Sequence, residues 1–138
     1  MNLDTQQPHP NEHAGRCLCG AVHYVVHGPL RGAIACHCSQ CRRTSGHYAA
    51  MTSAPTADIE FKASRSLVWY RSSNTAERGF CNICGSNLFW RQFDSDVTSI
   101  TAGTLNTPTG IVIEKHIFVA DKSDYYDLDD ALPKLPEW

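Results

Sequence analysis

From Ala21 to His27 (AVHYVVH), Val22, Tyr24 and Val26 alternate with His23 and His27, and a period of two places the apolar side chains on one face of a β-strand. Gly28 and Pro29 end that run. Further strand-like runs follow at Ala33 to Cys36, Tyr48 to Thr52, Ile59 to Lys62, Leu67 to Arg71, Leu88 to Phe93, Val97 to Ala102, Ile111 to Glu114 and His116 to Ala120, separated by Gly, Pro, Asn and Ser. No long stretch has helical periodicity; the helical candidates are the short segments Ser39 to Thr44 and Ser123 to Leu128. The pattern predicts a mainly β chain with very little helix, folded as a compact sandwich or folded sheet. Met1 to Ala14 reads as a polar leader, and Pro133 and Pro136 make Leu132 to Trp138 an extended tail that can dock through Trp138.

Length and charge narrow the class. With 138 residues, of which 42% are apolar, the chain fits one domain, and no run approaches the roughly 20 apolar residues of a membrane-spanning helix. The leader lacks the charged start and apolar run of a signal peptide, so a cytoplasmic protein is expected. The formal charge of −2 hides an asymmetry. Arg31 to Arg91 carries eight basic and three acidic residues, whereas Gln92 to Trp138 carries three basic and nine acidic. The basic residues of the middle segment are scattered among cysteines, without a basic run interleaved with aromatics, which argues against nucleic acid as partner. Cationic side chains that offset thiolate charge explain them better, because four thiolates around one divalent zinc leave a net charge near −2.

The seven cysteines fall into three groups: Cys17 and Cys19 (CLC), Cys36, Cys38 and Cys41 (CHCSQC), and Cys81 and Cys84 (CNIC). An odd number in a chain without a secretory signal argues against a disulfide framework and towards metal or thiol chemistry. In tetrahedral zinc with Zn–S near ~2.3 Å the sulfurs stand roughly 3.8 Å apart, so two ligands must leave neighbouring points of the backbone. Both an i, i+2 pair on a strand and a CxxC turn closed by Gly85 meet that need. A single CxxC also suits a redox pair; Cys17, Cys19, Cys81 and Cys84 together offer a closed Cys₄ site. Cys36, Cys38 and Cys41 offer three thiolates. The fourth vertex is then either open to water or substrate, as in catalytic zinc sites, or filled by His37, His47 or His116 in a second structural site.

These residues, in this order, resemble the glutathione-dependent formaldehyde-activating family, whose domain is shared with a centromere-associated relative. The likeness rests on GRCLCGAVHY (Gly15 to Tyr24), CHCSQCRRTSG (Cys36 to Gly46), RGFCNICGSNLFW (Arg78 to Trp90) and HIFVADKSDYYDLDDALP (His116 to Pro133). It implies one zinc-binding domain over residues 15–133, after a flexible leader (1–14) and before a C-terminal tail (134–138). The implied fold is short, coiled antiparallel sheets with zinc knuckles, like that of a small family of nucleotide-exchange accessory proteins. It implies Cys17, Cys19, Cys81 and Cys84 on a structural zinc, and Cys36, Cys38 and Cys41 on a functional one. The implied activity is carbon–sulfur lyase-type chemistry, glutathione adding to formaldehyde to give S-(hydroxymethyl)glutathione, with a small thiol and an aldehyde as partners. A non-catalytic zinc module that binds a protein is the competing expectation. Arg42 and Arg43, beside the triplet, are candidate partners for the carboxylates of an anionic thiol. Trp69, Tyr70, Phe89 and Trp90 are read as core aromatics.

Overall fold

In the computed structural model, which describes residues 11–138, ten strands and one α-helix run in the order β1 (Glu12–Arg16), β2 (His23–His27), β3 (Ala33–Cys36), α1 (Ser39–Ser45), β4 (Ala49–Pro55), β5 (Ile59–Ala63), β6 (Leu67–Arg71), β7 (Ala76–Cys81), β8 (Asn87–Gln92), β9 (Val97–Thr101) and β10 (Ile113–Ile117). They form a three-stranded sheet, β1-β2-β5, and a seven-stranded sheet, β10-β3-β4-β9-β8-β7-β6. Val22, Tyr24 and Val26 are fully buried, as their alternation predicts, and they face Leu88, Phe89 and Ile100 of the larger sheet in one core cluster. Tyr24 meets Phe89 edge-on at 5.2 Å between ring centroids, and its hydroxyl lies 2.8 Å from Thr104 Oγ1. Each such side chain, withdrawn from water, contributes about 1.5–3 kcal/mol, so this seam holds the two sheets face to face.

Four expectations are corrected. Ser123 to Leu128 is not a helix: Lys122 Nζ donates to the carbonyls of Ser123 (2.8 Å) and Tyr126, so Ser123 and Tyr126 are bound to an ammonium in place of helix amides. Ile111 to Glu114 and His116 to Ala120 are not two strands but the single β10, which ends where Phe118 turns into the left-handed region (φ 54°) and a 3₁₀ turn follows at Val119–Asp121. The sheets are not wholly antiparallel, because β10 runs parallel to β3, the long connection between them removing the need for a hairpin. Tyr70 is not a core aromatic; it is 62% exposed on the edge strand β6.

Two strands escape the hydropathy pattern. β1 takes in Glu12, His13 and Ala14, residues assigned above to the leader, while residues 1–10 lie outside the described residues. β7 carries Glu77, Arg78 and Gly79 inside the larger sheet, with Glu77 paired to Arg91 Nε at 2.7 Å. A Cβ on Gly79 would lie 3.2 Å from Leu67 and Trp69, so the strand's close approach to its neighbour explains the glycine. Residues 133–137 lie along β10, through His116 N to Pro133 O (2.9 Å), Leu135 N to His116 O (2.9 Å) and Phe118 N to Glu137 O (3.1 Å).

Candidate metal centres

The closed group forms where the two sheets meet. Cys17 and Cys19 leave the turn after β1, Cys81 ends β7, and Cys84 lies in the β7–β8 turn. Their four sulfurs lie within 4.8 Å of one another, with Cys17 to Cys19 at 3.6 Å and Cys19 to Cys81 at 3.8 Å, the spacing a tetrahedral thiolate site requires. No two cysteines are bonded. Each turn is closed by a glycine with positive φ, Gly20 at 81° and Gly85 at 79°, whose amides return to Cys17 O (3.1 Å) and Cys81 O (2.8 Å).

Amide or hydroxyl groups lie against three of these sulfurs. Val22 N donates to Cys17 Sγ at 3.2 Å. Ser66 Oγ lies 3.3 Å from Cys81 Sγ. Ser86 joins the two turns: its hydroxyl accepts from Leu18 N (2.9 Å) and lies 3.2 Å from Cys84 Sγ. The Ser86 hydroxyl and neighbouring backbone amides pull the Cys84 thiol down to about 5.

The second group is built on one short piece of chain. Cys36 ends β3, Cys38 is the N-cap of α1 and accepts from Cys41 N at 3.3 Å, and Cys41 stands in the first helical turn. The three sulfurs lie within 4.8 Å of one another and pack with Met51, Ala49 and Trp90. Hydrogen bonds from Cys36 and Cys41 draw Cys38 well below a thiol's usual range, whereas hydrogen bonds to Cys38 and Cys41 push Cys36 up. A divalent cation held by the three sulfurs would take over their charge as thiolates.

No histidine completes the triplet among the described residues. His37 lies between two cysteines in sequence, but its ring nitrogens are engaged by Tyr126 (2.5 Å) and His116 (2.9 Å). His116 is held by His37 and Asp130, and His47 Nδ1 by Tyr125. The three cysteines line a cleft of about 670 Å³, within the size range of small-molecule sites.

That cleft is where the structure departs furthest from the sequence reading. Arg42 and Arg43 stand on α1 and do not line it, whereas Arg31, Arg78 and Trp90 do. Arg78 is 6% exposed and, among the described residues, has no carboxylate partner and no hydrogen bond at Nε; its Nη2 reaches Cys41 Sγ at 3.7 Å and Gln40 Oε1 at 3.3 Å. Trp90, expected in the core, forms part of the cleft wall beside the cysteines. Phe89 is fully buried, and Trp69 stacks on it at 6.0 Å between ring centroids, with the Arg91 guanidinium 3.8 Å from the Trp69 ring centroid. The one signal for Arg78 was its place in a cysteine motif, two residues before Phe80 and three before a ligand.

Fold and site together define a small mainly β protein with, among the described residues, two cysteine groups able to hold metal, one of four cysteines and one of three cysteines that line a cleft. The family described as glutathione-dependent formaldehyde-activating enzyme matches residues 12–121, and the chain belongs to it. An uncharacterized lyase of Schizosaccharomyces pombe is 28% identical over 120 residues, covering 84% of this chain and 85% of that protein. A crystal structure of a Rhodobacter sphaeroides protein superposes with a TM-score of 0.58 at 25% identity, over 88% of this chain and 98% of the other. Family and relative support a lyase-like enzymatic role. Among the described residues no helix is long and apolar enough to cross a membrane.

Proposed function

We propose that the chain is a zinc-dependent carbon–sulfur lyase-type enzyme acting on a small thiol adduct, such as the product of glutathione and formaldehyde, S-(hydroxymethyl)glutathione. The observation that carries this reading is the group of three cysteines, completed by no histidine among the described residues, lining a cleft with a buried arginine. Zinc held by Cys36, Cys38 and Cys41 would supply thiol activation or polarisation of an aldehyde oxygen. Cys17, Cys19, Cys81 and Cys84 would hold a second zinc that joins the sheets. In synthesis the thiol sulfur forms a bond to the carbonyl carbon, the carbonyl π pair moves to oxygen, and the thiol proton ends on that oxygen; the lyase direction reverses each change.

The chain's own residues prepare that step. Cys38, fixed as N-cap, and Cys41, one turn later, hold two sulfurs in a set relation. The Arg78 guanidinium offsets thiolate charge beside Cys41, so an anionic thiol can approach a group that is otherwise negative. Trp90 and Met51 give the cleft an apolar wall beside the cysteines.

The exposed Leu18 (80%) and Ile83 (69%), each between the two ligands of a closed-site turn, favour the second reading, a zinc module that binds a protein. One experiment separates them. Exchange between formaldehyde and its glutathione adduct, followed by NMR against the spontaneous rate, accelerates with the wild-type chain and falls to background with Cys38→Ser if the site is catalytic. Wild-type exchange at the spontaneous rate would favour the module.

A further inference from the structure

A line of hydrogen-bonded side chains that neither metal group uses runs from the tail to the backbone between Cys36 and Cys38. Asp130 Oδ2 lies 2.8 Å from His116 Nε2, His116 Nδ1 lies 2.9 Å from His37 Nε2, and His37 Nδ1 lies 2.5 Å from the Tyr126 hydroxyl. The hydrogen bond from His116 holds the Asp130 carboxyl at about 2, so it is an ionised acceptor. The directions follow from that end. With a neutral imidazole at His116, Nε2 donates to Asp130 and Nδ1 accepts, so that His37 donates from Nε2 and accepts from Tyr126 at Nδ1. His37 is fully buried and His116 is 3% exposed, so the ring nitrogens of both histidines need the partners they have.

Between the end of β3 at Cys36 and the start of α1 at Ser39, Cys38 is held as N-cap by Cys41 N to its Sγ (3.3 Å) and Arg42 N to its carbonyl (2.8 Å), and His37 by its N to Ile117 O (3.0 Å). The His37 ring, gripped from two sides, adds a side-chain restraint between the two ligands. We infer that Tyr126, His116 and Asp130 are positioning residues that, through His37, hold Cys36 and Cys38 with both sulfurs towards one metal ion. Ligand supports of this kind typically carry about a ten- to hundredfold share of metal affinity. Here the support acts on the residue between two ligands and not on a ligand itself.

The inference rests on metal binding by Cys36, Cys38 and Cys41 but not on the reaction, so its test reads metal. The full chain is loaded with cobalt(II) and its thiolate-to-cobalt absorption is followed during titration. Wild type takes up two equivalents. Asp130→Ala and Tyr126→Phe lower the affinity of the second equivalent about ten- to hundredfold and alter its absorption, with the first equivalent unchanged. Asp130→Asn, whose amide oxygen still accepts from His116, restores most of the affinity. Lys134→Met, which removes the 3.1 Å ion pair to Asp130 Oδ1 and leaves the His116 bond, behaves as wild type. Unchanged second-site binding in both Asp130→Ala and Tyr126→Phe, equal weakening of both sites, or an Asn variant as weak as Ala would each overturn the inference. A wild-type chain binding a single equivalent overturns the reading of the triplet as a metal group, and the inference with it.

Discussion

At the scale of single residues, Arg78 carries the largest difference between what its neighbours in sequence suggest and what it does. A charge-assisted hydrogen bond is worth about 1.5–3 kcal/mol, and buried guanidinium has few other ways to be satisfied. Arg78→Met is therefore expected to raise KM for an anionic thiol about tenfold to a hundredfold, with Arg78→Lys between the two. Steady-state kinetics checks this, and an unchanged KM contradicts it. His37 makes a second prediction. Burial first, and His116 second, push its pKa down to about 4, below the ~6.5 of a histidine in the unfolded chain. Between about 6.5 and 4 the unfolded chain binds a proton that the folded chain refuses. The stability from neutral His37 is therefore complete above about 6.5 and is lost as pH falls towards 4. Ring-nitrogen NMR shifts are expected to show His37 neutral at pH 5.5, and a protonated ring there contradicts the buried line.

At the scale of elements, the knuckle turns depend on backbone as much as on sulfur. Gly85 has φ 79° and nothing within 4 Å of a Cβ built on it, so Gly85→Ala tests conformation without a clash. A left-handed non-glycine residue costs about 1–2 kcal/mol, and a melting temperature lower by several degrees is expected; an unchanged one contradicts the αL requirement. Local pattern explains which elements were legible. β2 reads from Val22, Tyr24 and Val26, and α1 from its polar turn after Cys38, because their own sequence decides them. β7 did not, because Glu77, Arg78 and Gly79 are accommodated by Arg91, Cys41 and Trp69, partners that a local window does not contain. The tail failed likewise: its aspartates and tyrosines resemble a polar helix until Tyr126 and Asp130 are seen to meet His37 and His116. The cysteines were legible throughout because metal geometry restricts spacing along the chain. The cleft was not, because its walls come from α1, from β3, β4, β7, β8, β9 and β10, and from Trp138.

At the scale of the whole molecule, the two cysteine groups are expected to differ in what they hold together. The closed group joins Cys19 to Cys81 across 62 residues and fastens the smaller sheet to the larger. Structural zinc contributes roughly 10–16 kcal/mol, as much as or more than the total stability of an ordinary domain, about 5–15 kcal/mol. Cys84→Ser is thus expected to give an unfolded or insoluble chain. The triplet lies within α1 and the end of β3, so its metal ties together a short segment and restricts the unfolded chain little. The most direct measurement is zinc per chain together with thermal melting for wild type, Cys38→Ser and Cys84→Ser. The account predicts two zincs in wild type, one zinc and a nearly native melting transition in Cys38→Ser, and no cooperative transition in Cys84→Ser. A Cys38→Ser chain that unfolds as badly as Cys84→Ser would contradict the separation of one closed, fold-holding site from one open site.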